Sequence, residues 1–133
     1  MLTRTGAFAD SNIRSAILAL DVVHAHRHAD ALAEAINALG GPRVRVWSAP
    51  GKGVRVYFPG SIGYLGVGAD GSVSETAGRY QTFAESSLYP AWRRIVREGR
   101  ETYRAGLLAR LTAHDAERVA LVEAHDAARA VAS

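Results

Sequence analysis

The chain contains no cysteine. That excludes a disulfide framework, thiolate metal sites and a cysteine nucleophile, and it fits a reducing compartment. Lysine is nearly absent as well, with fifteen arginines to one lysine. A composition rich in Arg, Ala and Gly is also what a GC-rich genome produces, so the arginine excess says little by itself. No apolar run approaches the roughly 18 residues of a membrane span. The first ten residues lack the apolar core of a signal peptide. These absences lead to the expectation of a soluble, cytoplasmic protein with no membrane partner. At 133 residues the chain fits one domain over 1–133, able to bury about two-thirds of its unfolded surface without a metal or disulfide.

What is present is organised by position. Residues 40–60 carry Arg43, Arg45, Lys52 and Arg55 and no acid, whereas residues 1–39 hold three basic and four acidic groups. Residues 79–110 are again basic, and the C-terminal segment is mildly acidic. The net charge of +3 therefore sits in two blocks.

Asp10 or Ser11 can cap a helix, because a short oxygen side chain accepts a free N–H of the first turn. Ile13, Ile17, Leu20, His24, His28, Ala31, Ala35 and Leu39 then recur at helical spacing. Gly40-Gly41-Pro42 ends the run. A break near His26–Asp30 is expected, since 29 residues is long for a globular helix. The period next changes to two: Arg43 to Trp47 and Val54 to Phe58 alternate, with a turn between them. Ile62 to Val67 and Val73 to Thr76 follow, joined by the hairpin signal Asp70-Gly71. After Ala77 the pattern is helical, with a start at Ser86 or Ser87 ahead of Pro90. Thr112 with Asp115 has the form of a capping box. The C-terminal segment is thus two helices divided near Thr112, or one continuous helix. The expected fold is α+β: a long N-terminal helix, a three- to four-stranded antiparallel β-meander, and one or two C-terminal helices packed on one sheet face.

Alternation puts Val44 and Val46 on one strand face and Arg43, Arg45 and Trp47 on the other. On the next strand Arg55 and Tyr57 oppose Val54, Val56 and Phe58, and Tyr64 can join them. If the valines meet the helices, the outer face holds arginine beside tryptophan and tyrosine. Guanidinium groups bind phosphate and aromatic rings stack on bases, so this chemistry suits nucleic acid. The same residues suit a protein interface, and they also suit a merely solvated sheet face. On the C-terminal helix Arg93, Arg97, Arg100 and Arg104 fall within one stripe. That stripe can follow a phosphate backbone or form an ordinary solvated face paired with Glu98 and Glu101.

Asp21, His24, His26, His28 and Asp30 crowd one helical stretch, and His24 and His28 have the i, i+4 spacing of a metal chelate. The glutamate of the zinc-protease pattern is missing, and both histidines also lie in the apolar stripe. His114-Asp115 and His125-Asp126 add two further His-Asp pairs. No serine sits in a nucleophile-elbow motif, and Gly51-Lys52-Gly53 lacks the frame of a phosphate loop. Glycines at 66, 68 and 71 spell Gly-x-Gly-x-x-Gly, but in a hairpin instead of before a helix, which removes the dinucleotide reading.

Three functions follow as expectations. The first is a non-enzymatic protein, without cofactor, binding nucleic acid or a ribonucleoprotein through Arg43, Arg45, Trp47, Lys52, Arg55, Tyr57, Arg93, Arg97, Arg100 and Arg104. The second is a protein-binding inhibitor or accessory module of phage or mobile-element type, as anti-CRISPR proteins are, meeting an acidic protein surface. The third is a His/Asp metal-dependent enzyme, with His24 and His28 as ligand candidates. The Ala-rich helices can also pair two copies in a homodimer.

Overall fold

A computed structural model describes residues 2–41, 43–49, 51, 53–61, 63–77 and 89–132. Helix α1 spans Leu2–Asn37 and is followed by strands β1 (Arg45–Ala49), β2 (Gly53–Tyr57), β3 (Gly63–Val67) and β4 (Val73–Ala77). Helices α2 (Tyr89–Ala105) and α3 (Leu107–Ala132) complete the chain. This is the expected α+β arrangement of a long helix, an antiparallel meander and C-terminal helices.

α1 is one unbroken helix of 36 residues, about 54 Å long. It begins eight residues before the capping candidate Asp10 and runs through His26–Asp30 without a break. Asp and Ser inside a helix each cost only about 0.5 kcal/mol, so a competent cap residue does not stop propagation. The helix ends in a tightened turn: Leu39 N–H donates to Ile36 O and Gly40 N–H to Asn37 O, with Gly40 at φ 76°. Asn37 then seats the incoming strand. Its amide donates to Val44 O at 3.1 Å, and its carbonyl oxygen accepts Val44 N–H at 2.8 Å. Both backbone groups of Val44 are satisfied as a strand partner would satisfy them.

The four strands form a meander in the order β1-β2-β3-β4, each pair antiparallel. Their inner face presents Val54, Val56, Leu65 and Val67, with Val44 and Phe58 beside them. α1 lies across this face with Ala25, Ala29, Leu32, Ala33 and Ile36. The alanines let helix and sheet approach closely, and the valines, leucines and Phe58 fill the layer. α2 and α3 pack on α1 in turn. At the α1–α2 crossing a methyl on Gly99 would lie 2.7 Å from Ile36 Cγ1, so the absent side chain sets the helix separation.

The β3–β4 turn docks on the helices. Gly71 has φ 81°, a left-handed conformation that favours glycine, and a methyl there would meet the Leu107 side-chain tip, which would have to move aside. The Tyr103 hydroxyl donates to Gly71 O at 2.6 Å. The division between α2 and α3 falls at Gly106, not at Thr112. There Tyr103 O accepts both Gly106 N–H (3.2 Å) and the Arg110 guanidinium (2.9 Å). Thr112 is inside α3, and its hydroxyl donates back to Leu108 O. Among the described residues no helix is long and apolar enough to cross a membrane.

Candidate functional site

The sheet register assembles the outer face in two rows. Trp47, Arg55, Gly66 and Ser74 lie side by side across the four strands, and so do Arg45, Tyr57, Tyr64 and Thr76. Cross-strand neighbours in such rows are within side-chain reach. With no side chain at Gly66 beside it, the Arg55 guanidinium lies over the Tyr64 ring at 4.1 Å. It also donates to the Tyr57 hydroxyl at 3.0 Å. Tyr57 packs on Tyr64 with centroids 5.2 Å apart, and Trp47 meets Tyr57 edge to face at 5.8 Å. Four side chains thus form one contiguous cluster, a geometry in which rings and guanidinium hold each other's orientation. Trp47 remains 49% exposed. Two depressions flank it: one of about 440 Å³ lined by Arg45, Val46, Trp47 and Tyr57, the other of about 430 Å³ lined by Arg43, Arg45, Tyr57, Phe58 and Pro59.

The electrostatics of this face are one-sided. Between Glu34 and Asp70 the chain has no acidic residue. The one acid on the strands, Glu75, pairs with Leu65 in the register and so belongs to the inner side. There it accepts a hydrogen bond from Arg100 of α2 at 3.2 Å. The second basic block therefore does not continue the sheet's outer surface at Arg100. Arg93, Arg97 and Arg104 are exposed on the same helix, and Arg94 pairs with Glu98 at 3.1 Å. Lys52 lies outside the described residues. Of the residues singled out in the sequence, the structure brings together Arg43, Arg45, Trp47, Arg55 and Tyr57, and Tyr64 joins them as its strand position suggested.

The histidines sit elsewhere, in the seam between α1 and the antiparallel α3. The His24 and His114 rings stack with centroids 4.0 Å apart and planes 16° from parallel. Each reaches across to the other helix's acid. His24 Nε2–H donates to Glu117 and His114 Nε2–H donates to Asp21, both at 2.8 Å. Arg27 donates to the second Glu117 oxygen at 3.0 Å. Arg27 also comes within 3.4 Å of His24 Nε2, but a nitrogen that gives its proton to Glu117 has no lone pair for Arg27. These two hydrogen bonds, from His24 first and Arg27 second, hold the Glu117 carboxyl below its ordinary range.

His28 is fully buried, and its tautomer follows from its partners. Nε2–H donates to Ala69 O at 3.2 Å, while Nδ1 accepts Arg110 Nε–H at 3.0 Å. Only the neutral ring can do both. Burial, and then the adjacent Arg110 charge, hold its pKa below the ordinary histidine value. Arg110 in turn lies over the Tyr103 ring at 4.6 Å. His24 and His28, neighbours in the helical spacing, do not converge on a common point, and His28 has no lone pair to spare for a metal. Among the described residues no group of three or more His, Asp or Glu side chains is placed to hold a metal ion. The acids Asp21 and Glu117 and the base Arg110 were not singled out as a network in the sequence. A signal for them existed: Asp21-x-x-His24 and His114-x-x-Glu117 are mirror-ordered, and antiparallel helices bring such pairs into reciprocal contact.

No protein-family model, curated protein or solved structure matches this chain.

Proposed function

We propose that this protein is a non-enzymatic nucleic-acid-binding protein that uses the outer face of its sheet. The observation that carries the reading is the composition of that face: Trp47, Tyr57 and Tyr64 interleaved with Arg45 and Arg55, with Arg43 at its end and no carboxylate among its described residues. A surface that only has to stay solvated has no need of one sign of charge. A phosphate backbone rewards it, and the guanidinium fork matches phosphate oxygens. Arg55 uses one of its five N–H donors on Tyr57, which aims the group and leaves donors for a ligand. Arg100, committed to Glu75 on the inner side, is no part of this surface.

The test is fluorescence anisotropy with labelled random-sequence DNA and RNA over a salt series. Three phosphate contacts, at Arg43, Arg45 and Arg55, give a slope of log K against log salt of about −2 on single strands. Arg43→Gln with Arg45→Gln weakens binding and flattens that slope. Absence of binding at low salt overturns the reading and leaves the face to a protein partner, for which Trp, Tyr and Arg are equally apt anchors.

A further inference from the structure

We infer that the ligand is an unpaired strand, held by one base stacked on Trp47; this rests on the nucleic-acid reading above and narrows it. The three rings of the outer face are not equivalent. Tyr64 has Arg55 over its face and Tyr57 against its side. Tyr57 is enclosed between Trp47 and Tyr64, and its hydroxyl is taken by Arg55. Both tyrosines are half-buried, and their faces are spent on holding the cluster together.

Trp47 differs. Among the described residues it makes one ring contact, edge to face with Tyr57 at an interplanar angle of 77°. Whichever ring supplies the edge, at least one indole face is left uncovered by Tyr57. Trp47 is 49% exposed and borders the 440 Å³ depression with Arg45 and the apolar Val46. Among the described residues the surface therefore offers one stacking platform, Trp47, in place of the pair Trp47 and Tyr57 that the sequence suggests.

The position of that platform decides the form of the ligand. In a duplex the base faces are hidden in the stack, and only edges and phosphates are presented. A flat aromatic platform gains nothing from them. An unstacked base in a single strand, loop or bulge offers its face, and every base has one. Trp47 and Arg45 are alternate residues of β1, on one side of the backbone, and Arg43 lies two residues ahead of the strand beside Arg45 and Tyr57. Arg45 borders both depressions and Arg43 the second. A strand with its base on Trp47 thus passes two guanidinium groups in succession. One platform sets a short footprint with little sequence preference.

The experiment compares a single-stranded RNA, a single-stranded DNA and a duplex of the same sequence at low salt, using the full chain and its Trp47→Ala, Trp47→Phe and Tyr64→Leu variants. Single strands bind about tenfold or more tighter than the duplex. Trp47→Ala loses about tenfold or more on single strands, the value of one stacked base, and leaves duplex binding unchanged. Trp47→Phe recovers most of that loss, and Tyr64→Leu changes affinity by less than about threefold. Equal binding of duplex and single strands, with Trp47→Ala affecting neither, overturns the inference while the nucleic-acid reading stands. No binding of any probe defeats both.

Discussion

The outer sheet face and the α1–α3 seam are built from similar parts, aromatic rings beside charged groups, yet they differ in what is left over. In the seam, His28 uses both nitrogens, Glu117 uses both oxygens, and Arg110 is shared between His28 and the Tyr103 carbonyl. On the sheet, Arg55 gives one N–H to Tyr57, Arg45 and Trp47 are exposed, and among the described residues no carboxylate neutralises them. A crowd of functional residue types is therefore not a site by itself. The seam spends its chemistry on holding two helices together, and the sheet face keeps part of its chemistry available.

The largest effect that would test this contrast is on stability. His28→Ala removes a fully buried ring and takes away the hydrogen-bond partner of Ala69 O and of the Arg110 Nε–H. Unfolding in urea should show a loss of about 2–4 kcal/mol, from the cavity and the unmatched polar groups together. Arg55→Ala removes a guanidinium that lies over the Tyr64 ring on the sheet face, and should lose clearly less than His28→Ala. Equal losses at the two positions would erase the distinction between a structural seam and an available face.

The sheet face was legible in the sequence because each strand carries its own two-residue period. Alternation alone places Arg45 and Trp47 opposite Val44 and Val46, and Arg55 and Tyr57 opposite Val54 and Val56. The boundaries of β2, β3 and β4 followed to within a residue from the same period and from Asp70-Gly71, whereas β1 begins and ends two residues later than the Arg43 to Trp47 alternation, because Ser48 and Ala49 pair with Val54 and Gly53. The seam was not legible in the same way, because its partners lie 93 residues apart, from Asp21 to His114 and from His24 to Glu117. The α2–α3 division at Gly106 was hidden for a related reason. The Tyr103 carbonyl at that break is capped by Arg110, a side chain of the next helix, whereas the local signal at Thr112 resolves into an ordinary intrahelical bond. The Arg stripe of α2 was visible, but not that Arg100 turns to Glu75 on the inner side of β4.

A second, smaller effect separates the two regions by pH. His28 is held neutral in the fold by burial and by Arg110, and the groups around it are His24 on its own helix, His114 on α3, Tyr103 on α2 and Asp70 on the β3–β4 turn. Its folded pKa lies below the unfolded value of about 6.5, so as pH falls the unfolded chain takes up the proton first. The stability it supports is complete above that value and is lost as pH drops through it toward the folded pKa. Glu117, whose folded pKa is also depressed, adds a further loss as pH falls through the ordinary carboxylate range. Urea midpoints should therefore be lower at pH 5 than at pH 8. The outer face carries Arg, Trp and Tyr, with no histidine or carboxylate among its described residues. Nucleic-acid affinity measured on folded protein from pH 6 to 8 should stay flat, and a histidine-like step in binding would tie the seam to the site.

The smallest effect expected is the most useful for interpreting binding. Trp47 is half-exposed, sits on an edge strand, and among the described residues touches one other ring, so its removal leaves no sealed cavity. The losses that remain are one edge-to-face contact and part of the strand preference for aromatics, together roughly 1 kcal/mol. Trp47→Ala should accordingly unfold near the wild-type urea midpoint with an unchanged slope, because the surface exposed on unfolding is nearly the same. An exposed indole that stabilises its own fold so little has a reason to be there that lies outside the fold. A loss of about 3 kcal/mol would instead make Trp47 part of the cluster's own packing, and the stacking platform would disappear with it.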